Sequence, residues 1–525
     1  MDNIQKGRKV FLKGASIMKE YHVSRLCIAA ALTALGTGLG LSKAQSVQPP
    51  PRPDGEAGVQ VLTRGPVHEA FAETVTYDPE PGIVVKMAPP NPIEEIPPDQ
   101  RPEGVNVTWI PGYTAWDDER NDYLWVSGVW RSPPPGRQWV SGYWGRTQQG
   151  FQWTSGYWAD AQVNEVEYLP EPPETVEVGP SMPAPSSDHS WIPGAWIWQH
   201  GRYAWRPGYW VAVQSDWDWI PAHYTWAPRG YVFVDGYWDY SIARRGVLFA
   251  PVYFDAGVYT RRDYYYSPST VISLAVFNDH LFVRPRYHHY YFGDYYDAGY
   301  SDAGYYPRFA FQASRYGYDP IYARQRWVHR QDRDWEIRVD ADFRHRREHL
   351  EARPPRTLSA QITLNTSGLK SRESGLVVAA SLDQLAKSKE SPIRFQAVDS
   401  AEKQKLVQRG KEIRKFREER QVLETPTVRT FERDPQKASE PARVRLPKSV
   451  IVAKPTEELG KDRTPPKRQE APEPDPRVEA KPRKVRAKAE VRQVESRESP
   501  NAGSKDQPKG KSDDQPRKKK KPKDD

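Results

Sequence analysis

The chain has 525 residues, of which only 37% are hydrophobic, and its 50 Pro and 35 Gly leave little length for one large core. Its 19 Trp and 29 Tyr are equally foreign to a disordered chain, so at least two kinds of segment share the sequence. Long Val/Ile/Leu runs of the kind that build a parallel-sheet enzyme are missing, and the formal net charge of +9 is modest for this length.

Residues 1–44 read as a secretory signal. Lys6, Arg8, Lys9, Lys13, Lys19 and Arg25 precede an apolar run from Leu26 to Leu41, and Ser42-Lys43-Ala44 offers small residues for cleavage before Gln45. Met18 as the start would give a more usual signal length. The run of 16 residues is short for a membrane span, which needs about 20. Cys27 is the only cysteine and falls inside it, so the mature chain is expected to lack disulfides, thiolate metal sites and thiol catalysis. The predicted location is periplasm, cell envelope or extracellular space. Residues 45–107 follow as a Pro-rich spacer with one short strand at 82–87.

Seventeen of the Trp lie between Trp109 and Trp238, and they are periodic. Trp125-Val-Ser-Gly128-Val-Trp130, Trp139-Val-Ser-Gly142-Tyr-Trp144 and Trp153-Thr-Ser-Gly156-Tyr-Trp158 start 14 residues apart. Trp191-Ile-Pro-Gly194-Ala-Trp196, Trp205-Arg-Pro-Gly208-Tyr-Trp210, a degenerate Trp219-Ile-Pro-Ala222 unit and Phe233-Val-Asp-Gly236-Tyr-Trp238 keep the same step. With Trp109-Ile-Pro-Gly as leader, eight units fall into blocks at 109–158 and 191–240, joined by a Pro/Glu linker at 159–190.

An aromatic commonly stands two residues before the first Trp (Tyr123, Phe151, Tyr203, Trp217, Tyr231), as on one face of a strand. The Pro/Ser-Gly pair reads as a turn with Gly free to take positive φ. The predicted fold class is therefore mainly β: tandem 14-residue Trp-rich hairpin repeats in a meander or small repeat sheet, with short helices near 333–350 and 399–424 and long disordered termini. A Tyr-rich β region at 241–350 is expected to contain strands at 271–277 and 281–283. A linker at 351–398 leads to a charged helix at 399–424, with Asp399 and Glu402 as caps and an apolar stripe of Leu406, Ile413, Phe416 and Leu423, weakened by Gly410. Residues 425–525 read as a disordered basic tail. Residues 401–525 hold 36 basic and 23 acidic groups, a net of +13, so residues 1–400 carry −4.

The Trp-x-x-Gly-x-Trp units resemble those of the bacterial WXXGXW (YXWGXW) repeat proteins, and the lead-in Pro97-Pro-Asp-Gln-Arg-Pro-Glu-Gly104 is similar to that of longer, planctomycete-type members. The resemblance implies an exported cell-envelope protein and supplies no catalytic residue, cofactor or ligand.

Two readings of the repeat aromatics follow. As core, Trp supplies the large apolar surface that the repeats otherwise lack. As platforms, Trp125, Trp130, Trp139, Trp144, Trp153, Trp158, Trp191, Trp196, Trp205, Trp210 and Trp238 would offer flat faces to a polysaccharide, peptidoglycan or a protein, with Gly128, Gly142, Gly156, Gly194, Gly208 and Gly236 as turn glycines. His345-Arg-Arg-Glu348-His349 has the spacing of a zinc-hydrolase helix, but Arg344, Arg346 and Arg347 oppose a dication, and no metal or other cofactor is expected. His288-His289 reads as aromatic surface. The tail suits an anionic envelope component, and nucleic acid is a poor match for an exported chain. The sequence thus points to a non-enzymatic envelope scaffold or binding protein, with self-association through sheet edges as the alternative.

Overall fold

The computed structural model describes residues 56–478 except 105, 314–315, 367–375, 390, 392, 426–440, 455–463 and 468–469. The expected signal, the Lys-rich end and much of the expected tail lie outside the described residues. Among the described residues no helix is long and apolar enough to cross a membrane.

The chain is mainly β, built from many short hairpins in small sheets. Four of these come from the Trp units, and each consumes two units rather than one. In hairpin 1, Thr108–Ile110 pairs with Val129–Arg131, and Tyr113–Asp117 with Asp122–Val126. Hairpin 2 repeats this with Arg137–Val140 on Tyr157–Asp160 and Tyr143–Thr147 on Gly150–Thr154. Hairpin 3 (His189–Ala212) and hairpin 4 (Trp217–Tyr240) follow the same plan. The chain reverses not at the Pro/Ser-Gly pair but half a unit later, for example at His200-Gly201, both at positive φ as a two-residue hairpin loop demands. The Pro/Ser-Gly pair interrupts each arm instead, where the ladder breaks and the hairpin kinks.

Pairing two units places the first Trp of one unit opposite the second Trp of the other. Trp109 faces Trp130, Trp139 faces Trp158, Trp144 faces Trp153, Trp191 faces Trp210, Trp196 faces Trp205 and Trp219 faces Trp238. The six ring pairs have centroids 5.0–5.4 Å apart and are tilted or edge-on, the arrangement that the ring quadrupole favours.

Segments expected to be inert fill the space between hairpins. In the N-terminal stretch, Val67, Ala70 and Phe71 are fully buried, because the four hairpins alone leave their inner faces uncovered. Arg131 and Arg245 fix this stretch: Arg131 Nε donates to Ala70 O at 2.8 Å and Arg245 Nη1 to Phe71 O at 2.9 Å. Arg131 also holds Asp239 in a two-pronged bond of 2.6 and 2.7 Å, which ties the first repeat block to the second. Residues 159–190 are more than a linker, since Glu165–Tyr168 pairs with Ala442–Arg445. That partner strand, and Ile451 after it, fall within the stretch expected to be a disordered tail. Instead Trp139 N–H donates to Ile451 O, and Ile451 is buried in the main core. The strand at Val84–Val85 lies inside the predicted 82–87 range and edges hairpin 2. In the Tyr-rich region, Thr270–Ile272 and Leu281–Arg284 are strands, whereas Leu274–Phe277 is a helical turn rather than a continuing strand. His289 is buried and not surface, its Nε2 2.7 Å from Tyr113 Oη.

The helix Ser400–Glu424 starts at Asp399, whose carboxylate accepts from Glu402 N–H at 2.7 Å. Leu406, Ile413 and Phe416 are buried as their spacing predicts, but the helix end carries more weight than its stripe. Arg420 and Glu424 have no exposed surface. Arg420 Nε donates to Glu424 Oε1 at 3.0 Å, and its Nη1 donates to the carbonyls of Ser141 and Ser155 in the two kinks of hairpin 2. Glu424 in turn accepts from Tyr143 and Tyr168 hydroxyls, both at 2.8 Å. A buried pair contributes little net stability against apolar isosteres, yet breaking it leaves one charge stranded.

Arg420→Ala is therefore expected to lower unfolding stability by about 3–5 kcal/mol in urea titrations. Gly410 sits in the same helix with open space where a Cβ would stand. Gly410→Ala should raise stability by about 0.5–1 kcal/mol, read in the same titration.

Candidate functional site

The kinks are where the repeats do chemistry. None of the six expected turn glycines lies at positive φ. Their constraint is close approach: a Cβ at Gly128 would stand 2.5 Å from the Trp109 ring, and one at Gly156 2.5 Å from Trp139. The pattern is reciprocal. Trp153 covers Gly142, Trp205 covers Gly194, Trp191 covers Gly208 and Trp219 covers Gly236, so the first Trp of each unit lies on the Gly of its partner unit. By the same pairing residue 233 covers residue 222. These two positions depart together from the first-Trp and Gly positions of the motif, Phe for Trp and Ala for Gly, as a smaller ring facing an added methyl group requires.

Each kink also receives a carboxyl group from outside the repeats. In hairpin 1, Glu95 accepts from Gly112 N–H at 2.6 Å, Gly128 N–H at 2.9 Å and Trp125 Nε1–H at 3.0 Å. In hairpin 2, Glu69 accepts from Trp153 Nε1–H and Gly156 N–H, both at 2.9 Å. In hairpin 3, Glu177 accepts from Trp191 Nε1–H at 3.1 Å and Gly194 N–H at 2.6 Å. Hairpin 4 departs in step with its altered unit: Glu73 meets His223 Nε2 at 3.1 Å and the Tyr237 hydroxyl at 3.0 Å. Glu69 and Glu73, four residues apart, thus serve hairpins from both blocks.

In hairpins 1 and 3 the carboxyl belongs to an extended segment running along the aromatic ridge. Tyr123 and Tyr203 hydroxyls donate to Met87 O and Pro170 O at one end. Trp130 and Trp210 Nε1–H donate to Gln100 O and Met182 O, both at 3.0 Å, at the other. Trp196 Nε1–H adds a bond to Glu174 O. In both, aromatic donors meet the carbonyls of a Pro-rich segment of the same chain, and one carboxyl sets its register.

Of the eleven Trp named from sequence, Trp125, Trp130, Trp139, Trp153, Trp158, Trp196, Trp205 and Trp238 are buried, and Trp144, Trp191 and Trp210 are half-buried. Their shared faces serve the interior, and the indole N–H groups of Trp125, Trp130, Trp153, Trp158, Trp191, Trp196 and Trp210 serve the segments, while that of Trp144 bonds Thr114 O in hairpin 1 and that of Trp139 is buried without a partner among the described residues. Sequence reasoning missed the four Glu. A signal was present for two of them, because Glu95 and Glu177 each stand 14 residues before the first Trp of their block, one repeat length upstream.

The family model for the WXXGXW repeat, holding two copies, matches residues 104–131, 187–211 and 215–238. The chain carries WXXGXW repeats. Two copies make one hairpin, which explains why the matches coincide with hairpins 1, 3 and 4. Residues 139–158 fall outside them and still form the same WXXGXW hairpin. No curated protein and no solved structure matches the chain.

At His345-Arg-Arg-Glu-His349 the two imidazole centroids are 4.5 Å apart, but His349 lies beyond the end of the helix Trp335–Glu348, with Nδ1 3.4 Å from Glu351 Oε1. Among the described residues no group of three His, Cys, Asp or Glu is placed to hold a metal.

Burial outweighs the N–H donors at two of the seats, pushing Glu69 up to about 8 and Glu95 up to about 7. Burial likewise holds His68 down to about 3 and His289 to about 4. The folded chain keeps the Glu protons where the unfolded chain has lost them, so each Glu lowers stability as pH rises from about 4.5 toward 8. The histidines act oppositely, since the unfolded chain takes up protons below about 6.5 that the fold refuses. Urea titrations should show stability falling on both sides of a maximum near pH 6. Glu69→Gln should flatten the alkaline limb by up to about 1.4 kcal/mol per pH unit. The compensation at hairpin 4 has its own test: Phe233→Trp alone should cost about 1–3 kcal/mol, and adding Ala222→Gly should recover most of it in a double-mutant cycle.

Proposed function

We propose that this chain is a non-enzymatic, exported scaffold of the cell envelope, whose WXXGXW hairpins hold extended polypeptide segments and whose basic C-terminal end contacts an anionic envelope component. The observation that carries the reading is the use of the repeat Trp. Their rings are mostly buried in the core, while seven of their indole N–H groups bind carbonyls and carboxyls of extended segments, which favours a protein ligand over a stacked polysaccharide. Export rests on the N-terminal sequence pattern, and the anionic partner on the charge of residues 401–525.

A second reading, self-association, is favoured by hairpin 3. Its arms form two-stranded sheets, and apart from a single bridge from Asp475 to Trp205 their strand edges have no sheet partner among the described residues.

Cell fractionation is expected to recover the protein outside the cytoplasm, with mass spectrometry placing its first residue at Gln45. A cytoplasmic protein with an intact N-terminus would overturn the export half of this reading.

A further inference from the structure

The segments held by hairpins 1 and 3 share a pattern that extends beyond the carboxyl. Relative to Glu95 and Glu177, Pro90 and Pro172 stand five residues before, Ile96 and Val178 one after, and Pro98 and Pro180 three after. The carbonyl taken by the last Trp of the hairpin comes five residues after in both. Two hairpins of independent sequence therefore hold one peptide type, Pro-x4-Glu-(Ile/Val)-x-Pro, in one register. Proline suits this role because its fixed φ prepays the extended conformation and leaves carbonyls unpaired for the indoles.

The two complexes differ in closure. Glu95 is 8% exposed and Trp125 2%. In hairpin 3 both Glu177 and Trp191 are half-buried, while Val178 is 75% and Met182 66% exposed. Residues 170–182 form no strand and rest on hairpin 3 mainly through single side-chain bonds. Few buried contacts and an exposed backbone mark a segment that opens at low free-energy cost.

The sequence holds a third, relaxed form of the pattern. Pro474 stands five residues before Glu479 and Pro482 three after, with Ala480 at the apolar position. The structure describes it as far as Val478: Asp475 N–H donates to Trp205 O at 2.7 Å, a single bridge to the outer edge of hairpin 3, and Arg477 is 88% exposed. Its flanks are basic (Arg477, Lys481, Arg483, Lys484), whereas residues 159–190 hold seven acidic residues and no Lys or Arg.

We propose that the groove of hairpin 3 is an exchangeable peptide receptor whose ligand is the Pro474–Pro482 segment of a second copy of this chain. Glu479 takes the place of Glu177 on Trp191 Nε1–H and Gly194 N–H, and the displaced 170–182 segment swings outward. The resident segment competes at high effective concentration, so association is weak in the unmodified chain and strengthens when its carboxyl is neutralised. The inference rests on the peptide-holding half of the reading above and is independent of export.

Sedimentation of the full chain tests it with Glu177→Gln, Glu479→Gln and the double variant. Glu177→Gln is expected to tighten self-association about tenfold, and adding Glu479→Gln to abolish that gain. A Glu177→Gln chain that stays monomeric, or one whose association survives Glu479→Gln, overturns the proposal. Should Glu177→Gln fail to fold, a labelled peptide of residues 472–484 should bind the unmodified chain, be displaced by a 170–182 peptide and lose affinity on Glu479→Gln. Equal binding of the Glu and Gln peptides, or none by either, would refute it. Failure here with fractionation outside the cytoplasm would leave export standing, and the reverse outcome would leave the receptor standing.

Discussion

Everything in the repeat body depends on a carboxyl group delivered into the kink of a bent hairpin. Breaking the ladder at the Pro/Ser-Gly pair orphans backbone N–H groups in a place that two indoles have sealed from water. Glu95, Glu69 and Glu177 satisfy those donors in hairpins 1, 2 and 3, and Glu73 serves the altered kink of hairpin 4 through His223 and Tyr237. A WXXGXW hairpin is thus incomplete alone, and the segments between and before the repeats are parts of the modules.

That dependence organises the whole body. The segment carrying Glu69 and Glu73 lies between hairpins 2 and 4, and the buried Arg131–Asp239 pair spans the same blocks. Arg420 closes hairpin 2 from the other side by binding both kink carbonyls, while Glu69 binds the Gly156 N–H of the same hairpin. The N–H side of a broken ladder is met by carboxyl acceptors and the carbonyl side by a guanidinium. A chain without a structural disulfide among these residues holds itself by indole pairs and such charge-assisted bonds.

The motif letters acquire physical meanings here. Trp is needed first for a ring that lies on the partner's glycine, and in Trp125, Trp153 and Trp191 its N–H also reaches a carboxyl, whereas the buried N–H groups of Trp109, Trp139 and Trp219 have no partner among the described residues. Glycine is needed because the ring leaves no space for Cβ. The joint change to Ala222 and Phe233 shows the two requirements moving together, and the loss of an indole donor there accompanies the switch of Glu73 to His and Tyr partners.

By itself the sequence determined the β class, the 14-residue period, the extent of both blocks, the cap and apolar stripe of the Ser400–Glu424 helix, and the candidate aromatics. All of these are local, since period, turn chemistry and capping act over a few residues. Tertiary structure alone decided that two units close one hairpin, that the Pro/Ser-Gly pair kinks rather than reverses the chain, and that Glu69, Glu73, Arg131 and Arg420 are central. Those facts rest on partners distant in sequence, where a charged residue in a Pro-rich or solvated-looking stretch carries no local mark of burial. Glu95 and Glu177 stand between the two cases: their 14-residue offset was visible, but only the indole N–H bonds give it a reason.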